Sequence, residues 1–308
     1  LSFSLTDCRA DGGYSMKFNW SKKQKLAGYL FIAPNMIGVT LFFILPAIIS
    51  LALIFTNWQF GSRKIQFIST DNIVRLFKDP VFYTSVKNTF IFLASVPVSL
   101  ALAFVVAVVL NKSVYFKGLL RVRYFMPYIT SGVATAFVWM LLFQPKQGPI
   151  NGFLRSVGID HPPGWLSTMD TAMFAIDIIW IWFMLGYFMI IYLAALQEIP
   201  SELIEAAKID GANAWHRTRH VTLPLVSPTT FLLLISGLIM TIKTFGIIQA
   251  ITQGGPGNST TILSLFVYRT AFSYYEMGYA STISWALFIM ILLITAVQWI
   301  GQKKWVHY

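Results

Sequence analysis

Residues Glu198–Pro228 read EIPSELIEAAKIDGANAWHRTRHVTLPLVSP and lie between two long apolar segments. This stretch, which we call the elbow, is charged and compact, whereas most of the surrounding chain is apolar. A polar elbow held between two membrane helices must present a shaped surface to something in the water.

The residues of the elbow predict a helix, a glycine turn and a second helix. Pro200 breaks the preceding segment, and Ser201 is a candidate N-cap. Glu202 then lies in the first turn, where the helix dipole favours a carboxylate. Gly211 is placed to end this helix in the left-handed conformation, and Asn213 is a candidate cap for the second helix. We expect the two helices to occupy about residues 201–218.

The first elbow helix has a face of small residues. Leu203, Ala206, Ala207 and Asp210 are three or four positions apart, so the alanines share a face that another backbone can approach closely. The next apolar segment begins with prolines, which are tolerated in the first turn of a helix.

Three motifs in the elbow resemble a known signature: Glu205-Ala206-Ala207, Asp210-Gly211-Ala212 and Val221-Thr222-Leu223-Pro224. Together they are similar to the EAA signature of permease subunits of bacterial binding-protein-dependent ABC importers. In that family the loop is a cytoplasmic coupling helix that docks in a cleft of the ATPase subunit. The resemblance implies a coupling role for Glu205, Ala206, Ala207, Asp210, Gly211, Leu223 and Pro224.

Shorter pieces extend the resemblance over about residues 25–305, towards the maltose-type and glycerol-phosphate-type permeases of the carbohydrate branch. They are Phe55-Thr56-Asn57-Trp58, Asn88-Thr89, Leu110-Asn111, Gln197 to Pro200, Gly254-Gly255-Pro256 with Thr260-Thr261, and Met277-Gly278-Tyr279-Ala280. Each piece is weak alone, but their order and spacing are specific together. The resemblance implies the type I ABC importer permease fold.

The composition independently indicates an integral membrane protein. The chain of 308 residues is 56% hydrophobic and 11% charged, with a mean hydropathy of +0.65. A single cysteine, Cys8, excludes a disulfide framework. The net charge of +11 is spread over the loops instead of forming a stripe with interleaved aromatic residues, which argues against nucleic-acid binding.

The apolar runs predict an all-α fold with six transmembrane helices. We expect a polar tail over residues 1–28 and a permease domain over 29–305, with spans at about 29–55, 86–110, 124–143, 171–196, 227–251 and 280–300. The first run is too long for the apolar region of a signal peptide. Pro34 and Pro46 predict a tilt or bend in it.

The distribution of basic residues predicts the orientation. With the N-terminus inside, the inner segments carry 14 Lys and Arg residues and the outer segments carry 7. This bias predicts that both termini and the elbow are cytoplasmic. The resemblance implies that the membrane is the inner membrane of a bacterial cell.

The two clear intramembrane charges are Asp177 in the fourth predicted span and Lys243 in the fifth. Such residues face a bundle interior or a wet cavity because exposing them to lipid is costly. By resemblance the fifth helix lines the sugar cavity, so Lys243, Thr241, Thr244, Asp177 and Tyr187 are the candidate substrate-pathway residues. A cation there suits an acidic sugar such as a uronate or a sugar phosphate. Alternatively, Asp177 lies near the outer interface or pairs with Lys243 only to stabilise the bundle.

Other patterns have a structural and a functional interpretation. Four aromatic residues could either stack on sugar rings or pack the bundle and anchor it at the interface, and packing is the commoner role. They are Trp180, Trp182, Tyr187 and Tyr192.

His216 and His220 have the spacing of a metal pair, but the absence of a nearby acidic or thiol ligand favours a surface role. Residues 254–257 lack the Lys and Ser or Thr of a phosphate-binding loop and indicate a turn.

The sequence contains no HExxH, GxSxG or Walker A motif, so we expect neither catalysis nor a bound cofactor in this chain. The resemblance implies two ATPase subunits that bind ATP and Mg²⁺, a second permease subunit in a heterodimer, an extracytoplasmic solute-binding protein, a saccharide substrate and surrounding membrane lipid.

Two rival interpretations belong to other classes. An ion-coupled secondary transporter or channel would use Asp177 and Lys243 as a relay and need no ATPase partner. A membrane-embedded enzyme would need paired carboxylates or histidine clusters at bilayer depth, and the sequence has none.

Overall fold

The computed structural model describes residues 20–62, 64–112 and 115–302, with side chains from residue 24 onward. Most of the predicted N-terminal tail and the basic C-terminal residues lie outside this part of the chain. Within it the backbone is almost entirely helical, and its only bridge is an isolated antiparallel one between Thr56 and Phe67.

The helices follow one another with short connections. In chain order they are α1 (Trp20–Val39), α2 (Leu45–Leu53), α3 (Asp71–Lys78), α4 (Pro80–Leu93), α5 (Ser95–Asn111), α6 (Lys117–Ile129), α7 (Gly132–Leu142), α8 (Pro149–Ser156), α9 (Met169–Gln197), α10 (Ser201–Ile209), α11 (Ala214–Arg217), α12 (Leu223–Leu225), α13 (Ser227–Lys243), α14 (Gly246–Ile251), α15 (Leu263–Phe272) and α16 (Met277–Gln302).

Five helical runs in the described part of the chain are long and apolar enough to cross a membrane. They are Gln24–Leu53, Pro80–Asn111, Met169–Gln197, Ser227–Ile251 and Met277–Gln302. A sixth span results if α6 and α7, which are bent by 101° at a short break, are counted as one. This arrangement confirms the predicted all-α architecture with six transmembrane helices.

The second and third spans differ from their predicted form. The second begins at Pro80, before the predicted residue 86, because the Asp79 side chain accepts a hydrogen bond from the Val81 N–H at 2.8 Å and Pro80 occupies the first turn. The third span is broken at residues 130–131 instead of running straight through 124–143. Pro127 contributes to this break because it removes a backbone donor near the end of α6.

Two prolines follow segments of π-helix. Residues Thr40–Ile44 widen the helix before Pro46, and residues Thr218–Thr222 do the same before Pro224. A proline ring clashes with the carbonyl four residues earlier, and a wider turn relieves that clash.

The chain divides into two compact units, one before residue 51 and one from Leu51 onward. In the first unit no residue from 24 to 50 is buried, so its apolar helix surface is free to face lipid or another protein. In the second unit the core surrounds α9, which packs against α5 and α6.

A glycine allows the close crossing of α6 and α9. A Cβ atom added at Gly186 would collide with the carbonyl group of Tyr124 in α6. Small residues at helix crossings permit this approach in membranes, where packing drives helix association.

The elbow and the loop over residues 252–262 lie at opposite ends of the α4–α5 span. Asn88 in α4 contacts the 252–262 loop, whereas Asn111 at the end of α5 lines a cavity with Glu205 and Lys208 of the elbow. Gly257 also lies against Met169 at the start of α9. We call the connecting segments 54–79, 143–168 and 252–276 the far face, opposite the elbow.

Candidate functional site

The elbow has the predicted helix–turn–helix form. The helix α10 ends before Gly211, whose φ of +78° is left-handed, and the Asn213 side chain accepts a hydrogen bond from the His216 N–H at 2.8 Å. The prediction that Ser201 is the N-cap is wrong. Ser201 is the first helical residue, and Pro200 at the cap position makes no capping hydrogen bond because its side chain has no acceptor atom.

The elbow exposes apolar side chains that its own chain does not cover. Ile209 is 87% exposed and Trp215 is 66% exposed, and Leu203 and Leu223 are also exposed. Glu205 and Ala206 lie on the accessible surface of α10 beside them. A compact segment that carries exposed large apolar residues next to charged ones is typical of a protein-docking surface.

The two elbow histidines interact with the chain itself. Their rings stack with centroids 5.6 Å apart, His216 Nδ1 lies 3.0 Å from Asn213 Oδ1, and His220 Nδ1 lies 3.1 Å from the His216 carbonyl oxygen. The described residues contain no group of three or more His, Cys, Asp or Glu side chains arranged to hold a metal ion.

The fifth span is also broken, at Thr244 and Phe245 between α13 and α14. Lys243 is the last residue of α13 and its side chain is exposed. The Thr244 carbonyl, which has left the helix, accepts a hydrogen bond from Ser264 Oγ at 2.7 Å. Non-helical backbone at membrane depth is tolerated where it is buried in protein or lines a wet cavity.

Thr241, which was predicted to line the substrate pathway, is buried within the bundle. Thr241 is fully buried, and its hydroxyl accepts a hydrogen bond from Trp180 Nε1 at 2.9 Å. Trp180 and Tyr192 are themselves buried in the core, so they pack the bundle. Trp182, also in α9, is exposed, and its ring contacts the ring of Trp139 edge to face.

The alternative that Asp177 and Lys243 form a structural ion pair is also wrong. The described residues contain one salt bridge, between Arg75 and Glu276 at 2.8 Å on the far face. Asp177 is partly buried in α9, and its Oδ1 atom has no hydrogen-bond partner within the described chain. The two intramembrane charges therefore occupy separate environments.

Tyr187 lies beside the break in the third span. Its ring stacks on Tyr128 with centroids 4.7 Å apart and planes 23° apart, and Tyr128 is two residues before the break. Both rings are partly exposed. Tyr128 was not among the predicted pathway residues, although the neighbouring Pro127 and Gly132 were signals of an interrupted helix.

The breaks of the third and fifth spans lie near one another. Helix α7 packs against α14, and a Cβ atom added at Gly132 would lie 3.2 Å from Ile247 Cγ1. Thr130 and Ser131 at the first break and Lys243 at the second are all exposed. Two interrupted helices with exposed polar residues are typical of the substrate region of a transporter.

A multi-pass helical bundle with interrupted spans and a structured polar elbow defines a membrane permease. Residues 76–303 match the family described as binding-protein-dependent transport system inner membrane component. The chain therefore belongs to this family of ABC transporter permeases of the inner membrane.

Two relatives cover almost the whole chain. The lactose transport system permease protein LacF of Rhizobium radiobacter is 34% identical over 90% of this chain and 94% of its own length. The sn-glycerol-3-phosphate transport system permease protein UgpA of Shigella flexneri is 33% identical over 91% of this chain and 95% of its own length.

A solved structure shares the fold. A chain of the bacterial alginate ABC transporter, in complex with its alginate pentasaccharide-bound periplasmic protein, superposes with a TM-score of 0.81. The match covers 94% of this chain and 98% of the other, at 22% sequence identity. The fold is thus that of a type I ABC importer permease, as the sequence motifs implied.

Proposed function

We propose that this chain is the permease subunit of an ATP-driven importer of sugars or oligosaccharides. It forms half of the translocation pathway, a second permease subunit forms the other half, and two separate ATPase subunits bind ATP and Mg²⁺. An extracytoplasmic solute-binding protein delivers the saccharide. The lactose and sn-glycerol-3-phosphate systems named for its relatives support this substrate class.

The main support for the proposal is the exposed apolar surface of the elbow. Ile209 and Trp215 expose apolar surface next to Glu205 and Ala206, on a segment fixed by the Gly211 turn and the Asn213 cap. In this proposal the elbow docks on an ATPase subunit, which covers the apolar residues. Closure of the ATPase dimer then moves the elbow as a rigid lever and shifts the spans between inward-open and outward-open packings.

The proposal fixes the orientation of the chain. The elbow faces the cytoplasm, where ATP is available, and the even number of spans puts both termini on the same side. The excess of basic residues in the elbow-side segments supports this orientation. The far face then meets the solute-binding protein outside the membrane.

We propose that the region around the two helix breaks carries the substrate. The stacked Tyr128 and Tyr187 rings offer an apolar surface to a sugar, and Lys243 offers a cation to an acidic group. The phosphate of the substrate named for UgpA supports an acidic saccharide or sugar phosphate. The neutral sugar named for LacF is the competing substrate type.

Cross-linking tests the docking of the elbow. In a Cys8→Ser background, Ala206→Cys places a thiol on the exposed face of α10. This variant is assembled into the complex with the ATPase subunits. We expect a thiol-reactive cross-linker to join the permease to an ATPase subunit. Ser156→Cys, an exposed position on the far face, is the matched control and should give no such product. Equal cross-linking at both positions, or at neither, would contradict the proposal.

A further inference from the structure

Three buried asparagines hold the segments of the far face in the same way. Asn72 is 6% exposed, Asn88 is 6% exposed and Asn151 is 1% exposed. In each, the side-chain Nδ2 donates hydrogen bonds to two backbone carbonyls of a far-face segment. The NH₂ group of an asparagine has two donors, so each of these groups is fully used.

Asn88 joins parts of the chain that are far apart in sequence. From α4 it donates to the carbonyls of Asn258 and Thr261, each at 3.0 Å, in the 252–262 loop. The next residue, Thr89, accepts the Leu263 N–H at 3.0 Å and so caps the start of α15. One turn of α4 therefore fixes both the loop and the helix that follows it.

The 252–262 loop is further ordered from within. Thr261 Oγ1 donates to the Gly254 carbonyl at 3.0 Å, and Thr260 Oγ1 donates to the Gly255 carbonyl at 2.8 Å. Arg269 donates from α15 to the Gln253 carbonyl. Thr260 and Thr261 are fully buried. This glycine-rich loop therefore has a buried, hydrogen-bonded interior, as a core element does.

The other two asparagines fix the other far-face segments. Asn72 donates to the carbonyls of Ile54 and Thr56 at 2.8 and 2.9 Å, which holds the segment that follows the first span. Asn151 donates to the carbonyls of Pro145 and Pro163 at 3.0 and 3.1 Å. Its Oδ1 accepts Trp165 Nε1–H at 2.6 Å, so it closes the loop between the third and fourth spans.

We infer that Asn72, Asn88 and Asn151 are positioning residues that pre-organise the far face for a folded protein partner. Surface loops are ordinarily mobile, and ordering them on binding lowers affinity. Loops that are already fixed avoid this cost and transmit the position of a docked partner to the spans. The inference rests on the proposed function, because the partner is the solute-binding protein.

The Asn88→Asp variant of the whole complex tests the inference. An aspartate has the same shape but loses both donors and turns an oxygen towards two carbonyls. The complex in lipid nanodiscs is titrated with the purified, saccharide-loaded solute-binding protein while ATP hydrolysis is measured. We expect the half-saturating concentration of the binding protein to rise about tenfold, with a smaller change in the rate at saturation.

Amide hydrogen exchange gives a second readout that does not depend on the partner. We expect the amides of residues 252–262 to exchange about tenfold faster in the Asn88→Asp variant. Asn57→Asp is the matched control, because Asn57 is on the same face but exposed, and its Nδ2 donates to the Gln66 side chain instead of to two carbonyls. In this variant the amides of residues 252–262 should exchange at the wild-type rate.

The outcomes separate the inference from the proposed function. If the wild-type complex does not respond to the binding protein, the proposed function is wrong. If it responds, and Asn88→Asp keeps the wild-type half-saturating concentration of the binding protein, the inference is overturned, even where the 252–262 loop exchanges faster. Should Asn88→Asp fail to assemble, Asn151→Asp undergoes the same titration, with exchange measured over residues 145–163.

Discussion

In the proposed function, Lys243 is the residue whose charge most directly selects the substrate. It ends α13 at the break of the fifth span, is exposed, and forms no salt bridge with any described residue. A cation at membrane depth costs about 2.5 to 3.5 kcal/mol on insertion scales, so it is retained for a wet cavity or an anionic ligand. The proposed role of Lys243 is therefore to place a positive charge at the helix break, where an anionic group of the ligand can bind.

We predict that Lys243→Met lowers uptake of acidic saccharides about tenfold or more, because a charge-assisted hydrogen bond contributes about 1.5 to 3 kcal/mol. Uptake of neutral saccharides should change little. The measurement is transport of matched acidic and neutral sugars into proteoliposomes, with Lys243→Arg as the charge-preserving control. Unchanged transport of every acidic substrate by Lys243→Met would rule out the role.

The sequence identifies the polar residues within the spans, but it does not show whether each side chain faces the core, a cavity or the outer surface of the bundle. Lys243 was identified because a charge in an apolar run is conspicuous. Thr241 is only two residues away, yet its hydroxyl is bonded to Trp180 in another helix, 61 positions earlier in the chain. The shared role of the three asparagines that hold the far face was not predicted, because their backbone partners lie outside their own helices. Asn88, for example, bonds a loop residue 170 positions later.

The elbow is the element whose shape was best predicted. Its turn and caps depend on residues within a few positions of one another, such as Gly211 and Asn213, so local sequence is sufficient. The break in the third span was not predicted, because the apolar run of residues 124–143 gives the same hydropathy signal whether it is straight or bent. Beyond the 101° bend, α7 packs against α14, a contact between distant parts of the chain that hydropathy does not encode.

We predict that Gly211→Ala weakens docking of the ATPase subunits. Gly211 has a φ of +78°, and the left-handed conformation costs an alanine about 1 to 2 kcal/mol. Relaxation of this strain would shift α10 against α11, and we expect about a fivefold or larger loss in affinity for the ATPase subunits. The measurement is co-purification of the ATPase subunits at falling concentration.

Asparagine provides the control for this element, because it tolerates left-handed φ better than other non-glycine residues. Gly211→Asn should therefore retain most of the affinity. There is open space around Gly211, so the two variants differ in backbone strain and not in a steric clash with a neighbour. Equal affinities for Gly211→Ala and wild type would show that the turn geometry does not matter for docking.

At the scale of the whole molecule, the two ends differ in the kind of surface they present. The elbow exposes Ile209 and Trp215, whereas the far face is bound together by buried polar contacts such as those of Asn88 and Asn151. The interrupted third and fifth spans lie between these ends. In the proposed function, the elbow binds one partner and the pre-ordered loops of the far face bind another, and both partners can favour the same global state.

We predict that the break of the third span opens to water in a nucleotide-dependent way. Because Cys8 is the single cysteine, Ser131→Cys in a Cys8→Ser background gives one reporter thiol at the exposed break. A membrane-impermeant maleimide added from the far-face side should label it faster in the ATP-bound complex than in the nucleotide-free complex. The reason is that ATP-driven closure opens the spans towards that side.

The matched control is Leu292→Cys, an exposed apolar position within the sixth span. It should label slowly in both states, because a hydrophilic reagent does not enter the hydrocarbon region and a thiol there remains protonated and unreactive. Labelling of Ser131→Cys at one constant rate, whatever the nucleotide, would mean that the break stays outside the region that alternates. Faster labelling with ATP at Ser131→Cys but not at Leu292→Cys would instead place the moving cavity at the break itself, next to the Tyr128–Tyr187 stack.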